Sequence, residues 1–123
     1  MTKLPLLLYM VLCSALLASC KKEKVAEYTF QSCNLESNNI QVLSNQHGTL
    51  SYTNKLGSSQ LAEYSYYIIV SGQLPLKVCN MPLSINLSQD EERAVVFSGK
   101  MIILPSTSDA ISTTLELSAL NFD

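Results

Sequence analysis

Ile111-Ser112-Thr113-Thr114-Leu115-Glu116-Leu117-Ser118-Ala119-Leu120-Asn121-Phe122, close to the end of the 123-residue chain, decides the fold class. Ile111, Thr113, Leu115 and Leu117 alternate with Ser112, Thr114, Glu116 and Ser118, which is the period of a half-buried strand. Past Ala119 the apolar phase moves to Leu120 and Phe122. A phase change within one strand takes an extra residue, so a β-bulge is expected there.

The same period runs through the chain upstream. Val95, Phe97, Met101 and Ile103 share a face, with Gly99 in the middle, where a glycine marks a bulge or a bend. Pro105-Ser106-Thr107-Ser108-Asp109 forms the turn between these two strands. Leu61 to Val70 places Tyr64, Tyr66, Ile68 and Val70 on one face and Tyr67 and Ile69 on the other, as in a central strand. Shorter alternating runs are Tyr28 with Phe30, Ile40 with Val42, and Leu50 with Tyr52. Turn formers separate them at Asn34, Ser37-Asn38-Asn39, Asn45 with Gly48, and Gly57-Ser58-Ser59.

Pro75 and Pro82 make Gln73 to Leu87 an irregular crossing. Ser88-Gln89-Asp90-Glu91 then has the spacing of a capping box, and its acids suit the positive end of a helix dipole. A short helix is therefore expected over Gln89 to Ala94. About three strands, a short helix and two long strands is the order of an OB-type barrel. The expected fold is all-β: a small antiparallel OB-like barrel with one short helix. A β-sandwich of six or seven strands is the alternative, and the extra run at Ile40 to Val42 suits it slightly better.

The N-terminal region differs in character. Lys3 precedes an apolar run from Leu4 to Leu17. Leu4 to Ala18 is 15 residues long, short of the roughly 20 that a spanning helix needs. The run Leu17-Ala18-Ser19-Cys20 resembles the lipobox cut by the lipoprotein signal peptidase. That resemblance implies a signal peptide over residues 1–19. It also makes Cys20 the first mature residue, bearing thioether-linked lipid and acyl chains such as palmitate. Two or three such chains hold a protein firmly to a membrane, where one holds only marginally. Residues 20–26 then comprise the lipidated cysteine and a charged tether containing Lys21-Lys22-Glu23-Lys24, and residues 27–123 the β domain. Lys, not Asp, follows Cys20, which by the same resemblance favours the outer membrane.

Beyond Lys24 four basic side chains face nine acidic ones, a net charge of −5. Nucleic-acid binding needs clustered Lys and Arg, so it is not expected. Cys13 leaves with the signal peptide and Cys20 is lipidated, which leaves Cys33 and Cys79 as an even pair in an oxidising compartment. A disulfide between them is expected.

Cys79-Asn80-Met81-Pro82, followed by Val95 to Lys100 reading V-V-F-S-G-K, resembles small uncharacterised lipoproteins of Gram-negative bacteria. In those proteins a Cys-Asn-x-Pro element precedes a polar stretch and a strand ending in Ser-Gly-Lys. The resemblance covers about 25 residues, supports the order of elements and implies no activity.

His47 is the one histidine and is expected in a solvated loop beside Gly48. A Cys-His dyad would need Cys79 unpaired. Asp90-Glu91-Glu92 is the one acidic cluster, and neighbouring residues on a helix start point apart, which does not suit a metal. No metal site, cofactor motif or catalytic constellation is expected. Tyr52, Tyr64, Tyr66 and Tyr67 are the candidate ligand contacts, as a stacking platform on the sheet. These observations point to a membrane-anchored lipoprotein with a non-catalytic binding or structural role in the cell envelope. Its partner would be an envelope protein, a glycan or peptidoglycan. The alternative is an inhibitor of a secreted protease or lysozyme that presents the 74–84 loop, fixed at Cys79.

Overall fold

The computed structural model describes residues 28–36 and 39–123. Cys20, the tether and the expected signal peptide lie outside the described residues. Five strands build the domain: β1 (Ile40–Leu56), β2 (Ser59–Ile69), β3 (Leu76–Val78), β4 (Glu92–Ile102) and β5 (Thr113–Phe122). They form one mixed sheet in the order β1-β2-β3-β5-β4, and β4 pairs back onto β1 so that the ring of strands closes. The class is all-β, as the alternation implies, and a single sheet takes the place of the two a sandwich would need.

Every pairing is antiparallel except β3 with β5, which corrects the wholly antiparallel expectation. The reason is parity. Successive strands reverse direction around the ring wherever they pair antiparallel, and a closed ring with an odd number of strands must hold one parallel pair. Leu50, Ile68, Leu76, Val95, Phe97, Leu115, Leu117 and Leu120 fill the interior. Ile68 stands opposite both Leu50 and Leu76 in register, so one face of β1, β2 and β3 supplies a continuous apolar wall.

β1 joins two runs that the sequence separates. The expected turn at Asn45 to Gly48 is instead a bend within one strand of 17 residues. Asn45 takes a positive φ of 50°, which Asn tolerates better than most residues. The register against β4 slips between Leu43 and Gln46, and the Asn45 amide donates to Ser98 Oγ at 2.9 Å. β4 offers ladder partners on both sides of Asn45, so the strand bulges and continues.

The two bends expected at Gly99 and near Ala119 are one irregularity. Ser98 pairs with Ala119 and Gly99 with Leu117, which leaves Ser118 as the extra residue. This slip moves the buried positions of β5 from Leu115 and Leu117 to Leu120. Gly99 lies so close to β5 that an added Cβ would run into the Glu116 carbonyl, 3.1 Å from its carbon, with Leu115 Cδ1 at 3.2 Å.

The helix expected over Gln89 to Ala94 is absent: residues 89–90 turn, and β4 has begun by Glu92. Half of the capping box exists, with the Ser88 amide donating to Glu91 Oε1 at 3.0 Å. However, Asp90 has φ 63°, which a right-handed helix excludes. The Asp90 amide donates to the Tyr52 carbonyl and the Tyr52 amide to the Glu91 carbonyl, so β1 captures the segment. The irregular crossing over 73–87 exists, but it contains β3 and sends Ile85 into the core. Tyr28 and Phe30 pack against the core as the alternation implies, yet residues 28–36 form no strand.

Candidate functional site

The ring of strands has two ends. At one, the described chain begins: the Tyr28 ring meets Phe122 edge-on at 6.4 Å, and Phe122 is paired with Val95 near the start of β4. From there residues 28–34 run back along β5. Cys33 forms the expected disulfide with Cys79, with their Cα atoms 6.2 Å apart. The Cys33 amide donates to Glu116 Oε2 at 2.7 Å.

Asn80 holds this region together. Its Nδ2 donates to the carbonyls of Gln31 at 2.7 Å and Leu117 at 2.9 Å, and its Oδ1 accepts the Leu117 amide at 2.8 Å. The loop after β3 is thus fixed to β5 and to the incoming segment. Pro82 to Ile85 then makes a turn, closed by the Ile85 amide on the Pro82 carbonyl at 3.0 Å. Leu83 stands at the tip of this turn, 95 % exposed. Tyr28, Gln31, Met81 and Leu83 help line a recess of about 500 Å³ beside it.

Three of the four sequence-picked tyrosines come together. Tyr52 stacks obliquely on Tyr66 at 4.7 Å and on Tyr64 at 5.5 Å, each half-buried. Tyr52 and Tyr66 are register partners on the face that Leu50 and Ile68 use farther along the strands. Tyr66 is tied to the fold: its hydroxyl donates to the Ile85 carbonyl at 3.1 Å and accepts the Leu87 amide at 3.0 Å. Tyr67 is only 2 % exposed and lies on the opposite face, in register with Ser51 and Lys77. It is not part of the cluster.

His47 lies in β1, not in a loop, and is 81 % exposed at its side chain, with Nδ1 3.9 Å from Asp123 Oδ2. Cys79 is bound in the disulfide, so it is no partner for His47. Among the acids, Asp90 accepts the Thr53 hydroxyl at 3.1 Å and Glu91 lies 3.8 Å from Arg93, which also sits over the Phe122 ring. Among the described residues no three His, Cys, Asp or Glu side chains converge as metal ligands.

The other end carries a feature the sequence reading passes over. A groove of about 450 Å³ opens between the β2–β3 connection, the end of β4 and the β4–β5 loop. Leu74, Met101, Ile103, Leu104 and Pro105 give it apolar walls, and Gln41, Gln73 and Ser106 a polar rim. Leu74 and Ile103 are exposed. Apolar walls with a few polar groups are a common composition of ligand pockets. Its one signal in the sequence is Met101-Ile102-Ile103-Leu104, four successive apolar residues where a one-faced strand needs two. The sequence matches no family model, and no curated protein or solved structure is significantly similar to it.

Proposed function

We propose that this protein is a lipid-anchored component of the bacterial envelope whose β domain binds a partner instead of transforming a substrate. The run ending in Cys20 supports the anchor, and Lys21 favours the outer membrane. The domain itself is read as an OB-type barrel. The order β1-β2-β3-β5-β4 and the long bent first strand support this, with the irregular segment 79–91 standing where such barrels carry their helix.

The observation that carries the binding reading is the placement of the apolar groove. The described chain starts at Tyr28 beside Phe122, and the groove lies at the opposite end of β4 and β5. A lipid on Cys20 therefore joins the domain at the end remote from the groove. Its walls suit an apolar segment of an envelope protein, with Gln41 and Gln73 placed to bond that segment's backbone. The Tyr52–Tyr64 stack supports a second reading, a glycan on the aromatic face. The inhibitor reading is weaker. Leu76–Val78 belongs to the sheet, and Leu83 sits on a tight turn, whereas a protease takes an extended backbone into its cleft.

Photo-crosslinking in living cells tests the site. Benzoylphenylalanine in place of Ile103 or Leu74 should give a discrete protein adduct that the same probe at Ser58, in the β1–β2 turn, does not. Adducts confined to Tyr64 would move the site to the aromatic face. Absence of adducts at all of these positions would sink the binding reading.

A further inference from the structure

We propose that Leu83 is a second membrane contact, a single apolar side chain that dips into the bilayer and fixes the tilt of the domain. The inference rests on the lipid anchor at Cys20 and goes beyond it.

Three observations lead there. The first is reach. Seven residues separate Cys20 from Tyr28, so Tyr28 lies no more than about 29 Å from the lipidated residue even with the chain fully extended. The second is position. Tyr28 and Leu83 line the same recess, so Leu83 is at the end of the domain that the tether holds near the lipid. The third is chemistry. Among the described residues Leu83 is the most exposed of the large apolar side chains, at 95 %. Among the described residues no Asp, Glu, Lys or Arg lines the recess around it, and Thr29, Gln31, Ser32, Asn80 and Ser84 provide neutral polar groups of the kind that sit among lipid headgroups.

The loop is also stiff. The Cys33–Cys79 disulfide, the three Asn80 bonds and the Pro82–Ile85 turn hold its base, so little freedom remains to be lost on insertion. The seven residues between Cys20 and Tyr28 add Lys21, Lys22 and Lys24 against Glu23 and Glu27, a net charge of +1 with its lysines next to the lipid, where anionic headgroups attract them. Asp90, Glu91, Glu92 and Asp123 lie at the same end but on the β1–β4 side, through the Tyr52–Glu91 and Asp123–Ala94 backbone bonds.

The chain contains no tryptophan, so one introduced residue reports alone. Mature protein carrying Leu83→Trp is reconstituted into vesicles of phosphatidylethanolamine and phosphatidylglycerol with brominated acyl chains. Emission should shift to shorter wavelength and lose most of its intensity, relative to vesicles without bromine. Ile103→Trp, at the far end, should emit as in water and stay unquenched. Equal, water-like emission from both variants overturns the contact, and is the result if Leu83 serves a partner protein. Equal quenching of both overturns it too, since the domain would then have no fixed tilt. The intact mass of the same preparation reports lipid on Cys20. An unlipidated chain retires the anchor and the contact together. A lipidated Leu83→Trp chain whose indole stays unquenched retires the contact alone.

Discussion

The side chain of Asn80 makes both backbone hydrogen bonds of Leu117 that a neighbouring strand would have made, at 2.9 Å to the carbonyl and 2.8 Å from the amide. β3 ends at Val78, and the Cys79 amide still reaches the Leu115 carbonyl. One residue later the backbone has turned away, and an amide group of peptide-like shape continues the ladder. Only a side chain with one donor end and one acceptor end can do this.

Asn80→Asp should therefore destabilise the domain by about 2–3 kcal/mol, because a carboxylate would face the carbonyls of Leu117 and Gln31 without a proton to offer. Equilibrium denaturation with the disulfide intact would measure it. An unchanged midpoint would show that the Leu117 ladder is not needed.

Gly99→Val should cost about 1–3 kcal/mol, although Val is the better strand former. The added Cβ would meet the Glu116 backbone, and β5 cannot move away without opening its pairing to β4. A raised midpoint in the same denaturation assay would contradict the close approach.

Loss of the Cys33–Cys79 bridge, with its separation of 46 residues, should cost about 4 kcal/mol on the chain-entropy estimate. The paired Cys33→Ser, Cys79→Ser variant should unfold at lower denaturant than wild type under non-reducing conditions. Intact mass of the unreduced wild-type domain should be two hydrogens short of the thiol form.

Tyr66→Phe should destabilise by about 1–3 kcal/mol, since it leaves the Ile85 carbonyl and the Leu87 amide without their partner. Tyr64→Phe, whose ring stacks on Tyr52, should stay within about 0.5 kcal/mol of wild type. Equal losses for the two would contradict the role given to the Tyr66 hydroxyl, because both changes keep the stacked rings and remove only the oxygen.

Cys20→Ala should leave an unprocessed or unlipidated precursor. Labelling cells with an alkyne palmitate analogue should mark wild type and not the variant, and equal marking of both would refute the lipobox reading.

The strand interior is legible in the sequence because Leu115, Phe97 and Ile68 belong to runs that repeat every second residue, and each falls inward. Gly99 and the phase change past Ala119 each announce a bend, and the structure joins the two in one bulge at Ser118. The misreadings occur where a local signal is answered by a distant strand. Asn45 looks like a turn, and β4 carries it as a bulge. Ser88 to Glu91 looks like a helix start, and Tyr52 draws it into a turn. The alternation already puts Tyr67 across β2 from Tyr64 and Tyr66, but that Tyr67 is the one fully covered shows only once the rest of the chain is placed around the strand. The groove draws on Gln73, Met101 to Pro105 and Thr113, which no single period connects.

β5 lies between β3 and β4, and it is the last strand of the chain. Until it is present, β3 has only its two-residue pairing with β2, and the ring of strands stays open. Cys33 and Cys79 both precede it, so they emerge before the element that completes the interior. Oxidation at that stage would bring the incoming segment and the end of β3 together as the two sides of a slot for β5. Closure then depends on contacts far apart in sequence, which is the slow kind of folding step. A bridge made early would turn that search into the docking of one strand.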